Sequence, residues 1–523
     1  MHDFLSTFDF WDILIIAAYL VGVVWLGFKV GGKKKGAVVA EGKGTEEYLV
    51  GGRKIPWPAV VCSIVATEIS AATFIGVPQA AFDGNLNYLQ FGIGSLIARF
   101  AVASIFIGAF YYFGVLTVYE YIYKRFGPKS RYTATGFFLL GRVLGSGVRL
   151  YIATFALAGI FDIPMWVSLL VFTVAAMAYT WFGGIKSVIW TGVLQAIVFV
   201  GGVIALVIFL QYEIGWGEIW RVAGGAGKLE LIHTEARHTG FLGWLNDPNI
   251  LYIAVLNGFL ATTAALGTDQ DLTQRMLTCK DAAKARRSVI ISGFVGLPIT
   301  AMFLFVGIGL YVYFTTKYTG GALPWAANGD TRLVLPYFIG HVLPHGLRGL
   351  LVAALFATAM SCVDSTLGSL SSAAVVDLYK PLIRPGKSDA HYLRACRAAV
   401  IIFGVLICGV AWYVRDNQEM LWLALQVAAI PGGALLGVFL LGLLTKNRGS
   451  DRGNMIAMLS SAVYSSVLLY MSMHKWETLG WSWVIVLGAL WTICVGMLLD
   501  KGGQKPPVPS QADAEKCKAG KEA

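Results

Sequence analysis

The sequence predicts an all-α polytopic membrane protein of about 13 transmembrane helices, and three observations carry that expectation. Of its 523 residues 57% are hydrophobic and only 14% charged, against roughly 25% charged in soluble domains. So much apolar surface needs the bilayer as its solvent. The apolar runs are about 20 residues long, the length that crosses a hydrocarbon core, and they do not alternate with the period of two that barrel strands need. Finally, basic residues cluster in every second connector.

Taken in order, the spans are expected at 11–30, 57–80, 88–114, 136–160, 166–182, 188–210 and 250–268. The remainder fall at 289–314, 346–377, 398–414, 421–444, 456–473 and 481–499. The first follows an acidic start, MHDFLSTFDFWD, without a basic flank, so it is expected to be retained rather than cleaved as a signal peptide. Trp11, Trp57, Trp216, Trp220, Trp422 and Trp481 stand near span ends, where an amphipathic ring suits the interface.

Alternating the connectors from an N-terminus outside puts most of the 41 Lys and Arg residues on the cytoplasmic side. That set includes Lys33 to Lys35 and the groups at 124–131, 275–287, 380–397 and 446–452, together with the C-terminal tail. Arg99, Arg142 and Arg149 fall within spans. The asymmetry follows the positive-inside rule and predicts N-out, C-in, since one missed span would invert every later loop. It also locates the net charge of +11 at the membrane surface, which leaves no case for nucleic acid as a partner. The organisation expected is one integral domain over 1–500. It comprises an extra helix at 11–30, repeats at about 57–210 and 250–444, and C-terminal helices at 456–499. The tail at 501–523, rich in Pro, Lys and small residues, is expected to be disordered and cytoplasmic.

Polar residues interrupt three spans. The second reads SIVATEISAATFIGVPQAAF and the seventh LNGFLATTAALGTDQDLTQR. The ninth carries Thr358, Ser361, Asp364, Ser365, Ser369 and Ser372 as one helical stripe. In a bilayer such interruptions belong where backbone lines a cavity. Spans two and seven lie five apart, the spacing of inverted five-helix repeats that each begin with a broken helix. Glu68 and Asp364 sit at bilayer depth, where an isolated acid costs at least about 2.5 kcal/mol, so each should have a role. An enzyme is not expected. The histidines (His2, His233, His238, His341, His345, His391, His474) avoid the span middles and share no motif with a nucleophile. The seven cysteines form no CxxC pair.

At these residues the chain resembles the sodium:solute symporter family, most closely its bacterial sialic acid branch. The segments ATEISAATFIGVP, YTWFGGIKSVIWTGVLQ, QDLTQR and GLLVAALFATAMS carry the resemblance, in order, across about residues 10–500. It implies the LeuT-like transporter fold in a bacterial-type plasma (inner) membrane. It also implies uptake of a small-molecule solute coupled to a sodium ion, which is a coupling ion rather than a prosthetic group. The ligands it implies for Na⁺ are the carbonyls of Ala66, Ile69 and Thr358 and the hydroxyl of Ser361. A second site of the sialic acid branch departs here, with Gly192 in place of its aspartate. Its other positions fall on Ser361, Asp364 and Ser365, so Asp364 is read as a relocated cation ligand. Solute positions implied are Glu68, Ser70, Thr73, Tyr88 and Arg142, with Asp269 at the second break. Glu68 facing Arg142 would cancel its charge and favour a sugar or another neutral or zwitterionic solute. The alternatives are proton coupling, an acidic sugar as solute, or a transporter-like sensor.

Overall fold

The computed structural model describes residues 8–31, 43–161, 163–234, 245, 247–320, 323, 325, 329, 331–415, 420–473 and 481–500; side chains at 420–427 are not described. The expected disordered tail at 501–523, and Trp422 as an interfacial ring, lie outside that description. Among the described residues there are helices and no strands.

Helix α1 (Phe10–Gly31) precedes a short cytoplasmic-type helix α2 (Lys43–Val50). The second span is broken into α3 (Trp57–Glu68) and α4 (Ala71–Asp83). Then come α5 (Leu89–Phe113), the short α6 (Val118–Arg125), α7 (Pro128–Phe161) and α8 (Met165–Ile214). Two expected spans share α8, which turns at Gly184, where φ is +57°. Only glycine takes that conformation without strain, and a side chain there would also run into Tyr48. The second half begins after α9 (Trp216–Gly225) with α10 (Leu251–Thr268), broken from α11 (Gln270–Leu277). It continues with α12 (Ala282–Thr316), α13 (Val334–His341) and α14 (Leu347–Ala373), the last prolonged by a π-helical stretch to Ile383. The final elements are α15 (Asp389–Tyr413), α16 (Met420–Leu444), α17 (Asp451–Met473) and α18 (Val484–Leu498).

All thirteen expected spans are helical where described, but nine helices are individually long and apolar enough to cross a membrane. The shortfall has physical causes. One span is broken at residues 69–70, α8 is divided at Gly184, and α18 has only 15 residues.

Helix α14 is the centre of the molecule, with 94% of its most apolar stretch buried. By contrast α1 and α17 are only 22% buried over theirs and turn Val21, Trp25, Val463 and Val467 outward as a lipid-type surface. Helices α5 and α10 touch backbone to backbone. A Cβ on Gly94 would lie 2.0 Å from the Val255 carbonyl, and one on Gly258 2.0 Å from that of Phe91. Small residues permit this approach, as in other membrane helix pairs.

Helix α1 is tied to α14 at one point. Asp12, fully buried, accepts N–H bonds from Gly346 and Gly349, both 2.8 Å, and lies 2.9 Å from His345 Nδ1. A carboxylate from one helix thus satisfies the otherwise open first turn of another.

Candidate functional site

The first break frees two carbonyls. In an unbroken helix the Ser70 N–H would bond Ala66 O and the Thr73 N–H would bond Ile69 O. Instead Ser70 N donates to Glu68 O (3.1 Å) and Thr73 N to Ser70 O (2.9 Å). Ala66 O is therefore released from the ladder and accepts the Ser361 hydroxyl at 2.7 Å. This brings α3 and α14 together at the atoms expected to hold sodium. Ala66, Ile69, Thr358 and Ser361 are all buried, and Cys362 beside them offers sulfur rather than a hard oxygen. A hard monovalent cation needs several converging oxygens, and this donor set fits one.

The Glu68 carboxylate turns away from that cluster. Both of its oxygens lie 2.7 Å from Arg99 Nη2 on α5, and Arg99 Nη1 donates to Ser292 Oγ on α12 at 2.7 Å. The expected juxtaposition of Glu68 with Arg142 is corrected by this pairing. Arg99 is buried in reach of the break and needs a counter-charge, so it takes the only nearby acid.

The second break assembles a different network. Asp269 caps α11 through Asp271 N (2.8 Å), with extended backbone at φ −89°, ψ 123°. Arg142 of α7 contacts both Asp269 (3.2 Å) and Asp271. Asp271 also takes Arg275 Nη1 at 2.7 Å and Ser365 Oγ at 3.2 Å, while Arg275 Nε donates to Ser63 Oγ at 2.9 Å. Arg275 is 1% exposed, so its assignment to the cytoplasmic charges is corrected. Arg125 and Arg131 of the expected 124–131 group are likewise buried, bonded to carbonyls of 442–446 and to Asp377.

Above this network is a cavity of about 240 Å³. Tyr88, Arg142 and Asp269, all expected at the solute, are on its wall, joined by Arg149, Asn87 and Phe138. Glu68, Ser70 and Thr73 are not on that wall. Ser70 is instead buried at the α4 N-terminus, its carbonyl taken by Thr73 and Phe74. Asp364 is buried on α14, with Gln195 Nε2 of α8 at 3.3 Å from Oδ2. Gly192, one turn earlier on α8, faces Ser63, the residue that Arg275 bonds.

The sodium:solute symporter family model matches residues 48–460. The chain belongs to this family. Sodium is accordingly its coupling ion. Among its relatives, the sodium/sialic acid symporter SiaT of Proteus mirabilis is 27% identical over 86% of this chain and 87% of its own length. The sodium/glucose cotransporter of Vibrio parahaemolyticus is 28% identical over 88% and 86%. Human sodium-coupled monocarboxylate transporter 1 is 28% identical over 84% and 70%. A solved sodium-coupled sialic acid symporter, outward-open and substrate-bound, has the same fold, with a TM-score of 0.82 at 23% identity over 95% of this chain and 99% of its own. The inverted-repeat architecture with two broken helices is thus the fold of this sodium:solute symporter.

Sequence reading missed Asp271, Arg275, Ser63, Gln195 and Arg99 in this symporter. For Asp271 and Arg275 a signal was present. QDLTQR places an acid and a base at i and i+4 directly after a helix break, the spacing of a helical ion pair. For Arg99 the signal was its depth in a span, which requires an acid partner.

Proposed function

We propose that this symporter couples sodium to the uptake of a small polar organic solute bearing an anionic group, by alternating access across a bacterial-type plasma membrane with its N-terminus outside. One observation supports the anion. Arg149 lines the cavity with no carboxylate in ion-pair reach among the described residues, because Asp269 and Asp271 are occupied by Arg142 and Arg275. A guanidinium on a low-dielectric wall favours a carboxylate strongly. The expectation of a neutral solute or sugar rested on Glu68 cancelling Arg142, and Glu68 is engaged by Arg99. The solute then meets Tyr88, Arg142, Asp269 and Arg149, while Ser70 and Thr73 contribute to the break beside the ion.

Sodium occupies the carbonyls of Ala66, Ile69 and Thr358 and the Ser361 hydroxyl. A second cation uses Asp364 with Ser365. The energetics give that second ion a purpose. One Na⁺ with one monovalent anion moves no net charge, so a tenfold gradient supplies only about 1.4 kcal/mol, or tenfold accumulation. Two Na⁺ supply about 2.8 kcal/mol, plus about 2.3 kcal/mol from 100 mV on the net charge, which is several thousandfold.

The test is uptake into proteoliposomes with Na⁺ and pH gradients imposed separately, using organic acids paired with their amides. Uptake should need Na⁺, carry inward positive current, and favour the acid. Arg149→Gln should cut acid preference at least about tenfold without altering Na⁺ dependence. Asp364→Asn should abolish the current while leaving electroneutral uptake. Equal uptake in choline with only a pH gradient would replace sodium by protons. Amides competing as well as acids in the parent would remove the anionic solute.

A further inference from the structure

The cavity has a second polar end, away from the arginines. Asn87, between α4 and α5, Asn257 on α10 and Ser482 just before α18 all line it. Asn257 stands twelve residues before Asp269, about 18 Å along the helix axis at 1.5 Å per residue.

Two of these side chains are conspicuous for what they lack. Asn87 and Ser482 are each 3% exposed, yet neither the amide O and N of Asn87 nor the Ser482 hydroxyl has a hydrogen-bond partner among the described residues. Buried polar groups are rarely left so, because each forfeits its hydration without compensation. Their backbones, by contrast, are pinned. Asn87 N donates to Asn85 Oδ1 (3.1 Å), and its carbonyl accepts Gln90 Nε2 (3.2 Å), which also reaches Asn249 O at 2.8 Å. The turn holding Ser482 is fixed by Trp483 Nε1 on Leu245 O at 2.8 Å. The groups are held in place and left with unused donors and acceptors. Between the two ends the wall is largely apolar, including Phe91 stacked on Tyr88 at 5.7 Å.

We propose that Asn87, Asn257 and Ser482 form an uncharged hydrogen-bonding subsite, and that the solute is an elongated organic acid carrying a hydroxyl or amide at its far end. The chemistry matches on each count. An amide and a hydroxyl each offer donor and acceptor, so they pair with a neutral group of either kind and discriminate against a bare methyl, which would leave them unpaired. An apolar middle accepts a carbon chain or ring. Ser482 acquires a role that the paired repeats do not supply, because it precedes the last helix and lies beyond residue 444. The inference rests on the anionic reading only for which end of the solute meets Arg149.

The experiment measures Na⁺-dependent binding and uptake of hexanoate, 6-hydroxyhexanoate, 6-acetamidohexanoate and the neutral 6-hydroxyhexanamide, in the full-length protein. The distally substituted acids should bind about tenfold tighter than hexanoate. Ser482→Ala and Asn257→Ala should each narrow that ratio several-fold and leave the half-saturating Na⁺ concentration unchanged. Ser482→Ala should match the parent in thermal stability, because the hydroxyl it removes bonds nothing. Equal binding of hexanoate and its substituted forms, or a ratio indifferent to both substitutions, would overturn the subsite. If 6-hydroxyhexanamide matched the hydroxy acid while Ser482→Ala still weakened both, the subsite would stand and the anionic reading would fall. Failure of every acid to bind would remove both.

Discussion

The two broken helices interrupt the bilayer at equivalent places but use their acids in opposite ways. At the first, Glu68 is drawn sideways to Arg99 and Ser292, so α3, α5 and α12 are joined to one another. The acid leaves the released carbonyls of the break to the ion. At the second, Asp269 and Asp271 turn inward, pair with Arg142 and Arg275, and build the floor of the cavity through α7, α11, α3 and α14. The lesson is that a charge at a helix break does not by itself mark a binding group. Its partner decides whether it shapes the ion site, the solute site or only the scaffold.

The largest effect that sharpens this contrast is expected from Arg275→Leu. It strands Asp271, which has 0% side-chain exposure, and losing one partner of a buried pair costs roughly 3–5 kcal/mol. Thermal unfolding in detergent should show a marked drop, partly recovered by adding Asp271→Asn. A variant as stable as the parent would mean that the second network does not hold the break.

Arg99→Gln should cost less, about 1–3 kcal/mol, since Glu68 keeps 22% of its side-chain surface. Adding Glu68→Gln should restore most of it, and the KM for solute should stay within about twofold in both. A solute KM that moved tenfold would return Glu68 to the solute site and erase the contrast between the breaks.

Ser361→Ala should be the mildest for stability and the most selective for function. It removes one oxygen that bonds Ala66 O, so the half-saturating Na⁺ concentration should rise about five- to tenfold. Relative uptake of different solutes should not change. If solute ranking shifted while Na⁺ activation held, the first break would not be the ion site.

Much of this arrangement was legible in the sequence, for definite reasons. Apolar run length fixes the helices, and polar residues at bilayer depth expose both breaks, because a spanning backbone tolerates them only beside a cavity. Tyr88, Arg142 and Asp269 were found in this way and reach the cavity. Pairing was not legible. Whether Glu68 faces Arg142 or Arg99 depends on how α5 and α7 rotate about their axes, and hydropathy carries no information on rotation. Arg275 was misplaced for a related reason. A basic residue at the foot of a cytoplasmic loop reads as solvated until a neighbouring helix closes over it.

The Asp12 cap on α14 has a consequence for how the chain is made. Its partners, Gly346 and Gly349, follow 334 and 337 residues later. Helix α1 therefore enters the bilayer long before the N–H groups that its carboxylate will bond exist. Until α14 is synthesised, Asp12 must keep its hydration at the membrane edge, since an unpaired acid is costly deeper in. Completion of this contact marks the moment at which the first helix acquires its final address against the ion-bearing core. Asp12→Asn should therefore act during biogenesis as much as at equilibrium, through the docking of a helix already inserted rather than through the transport cycle.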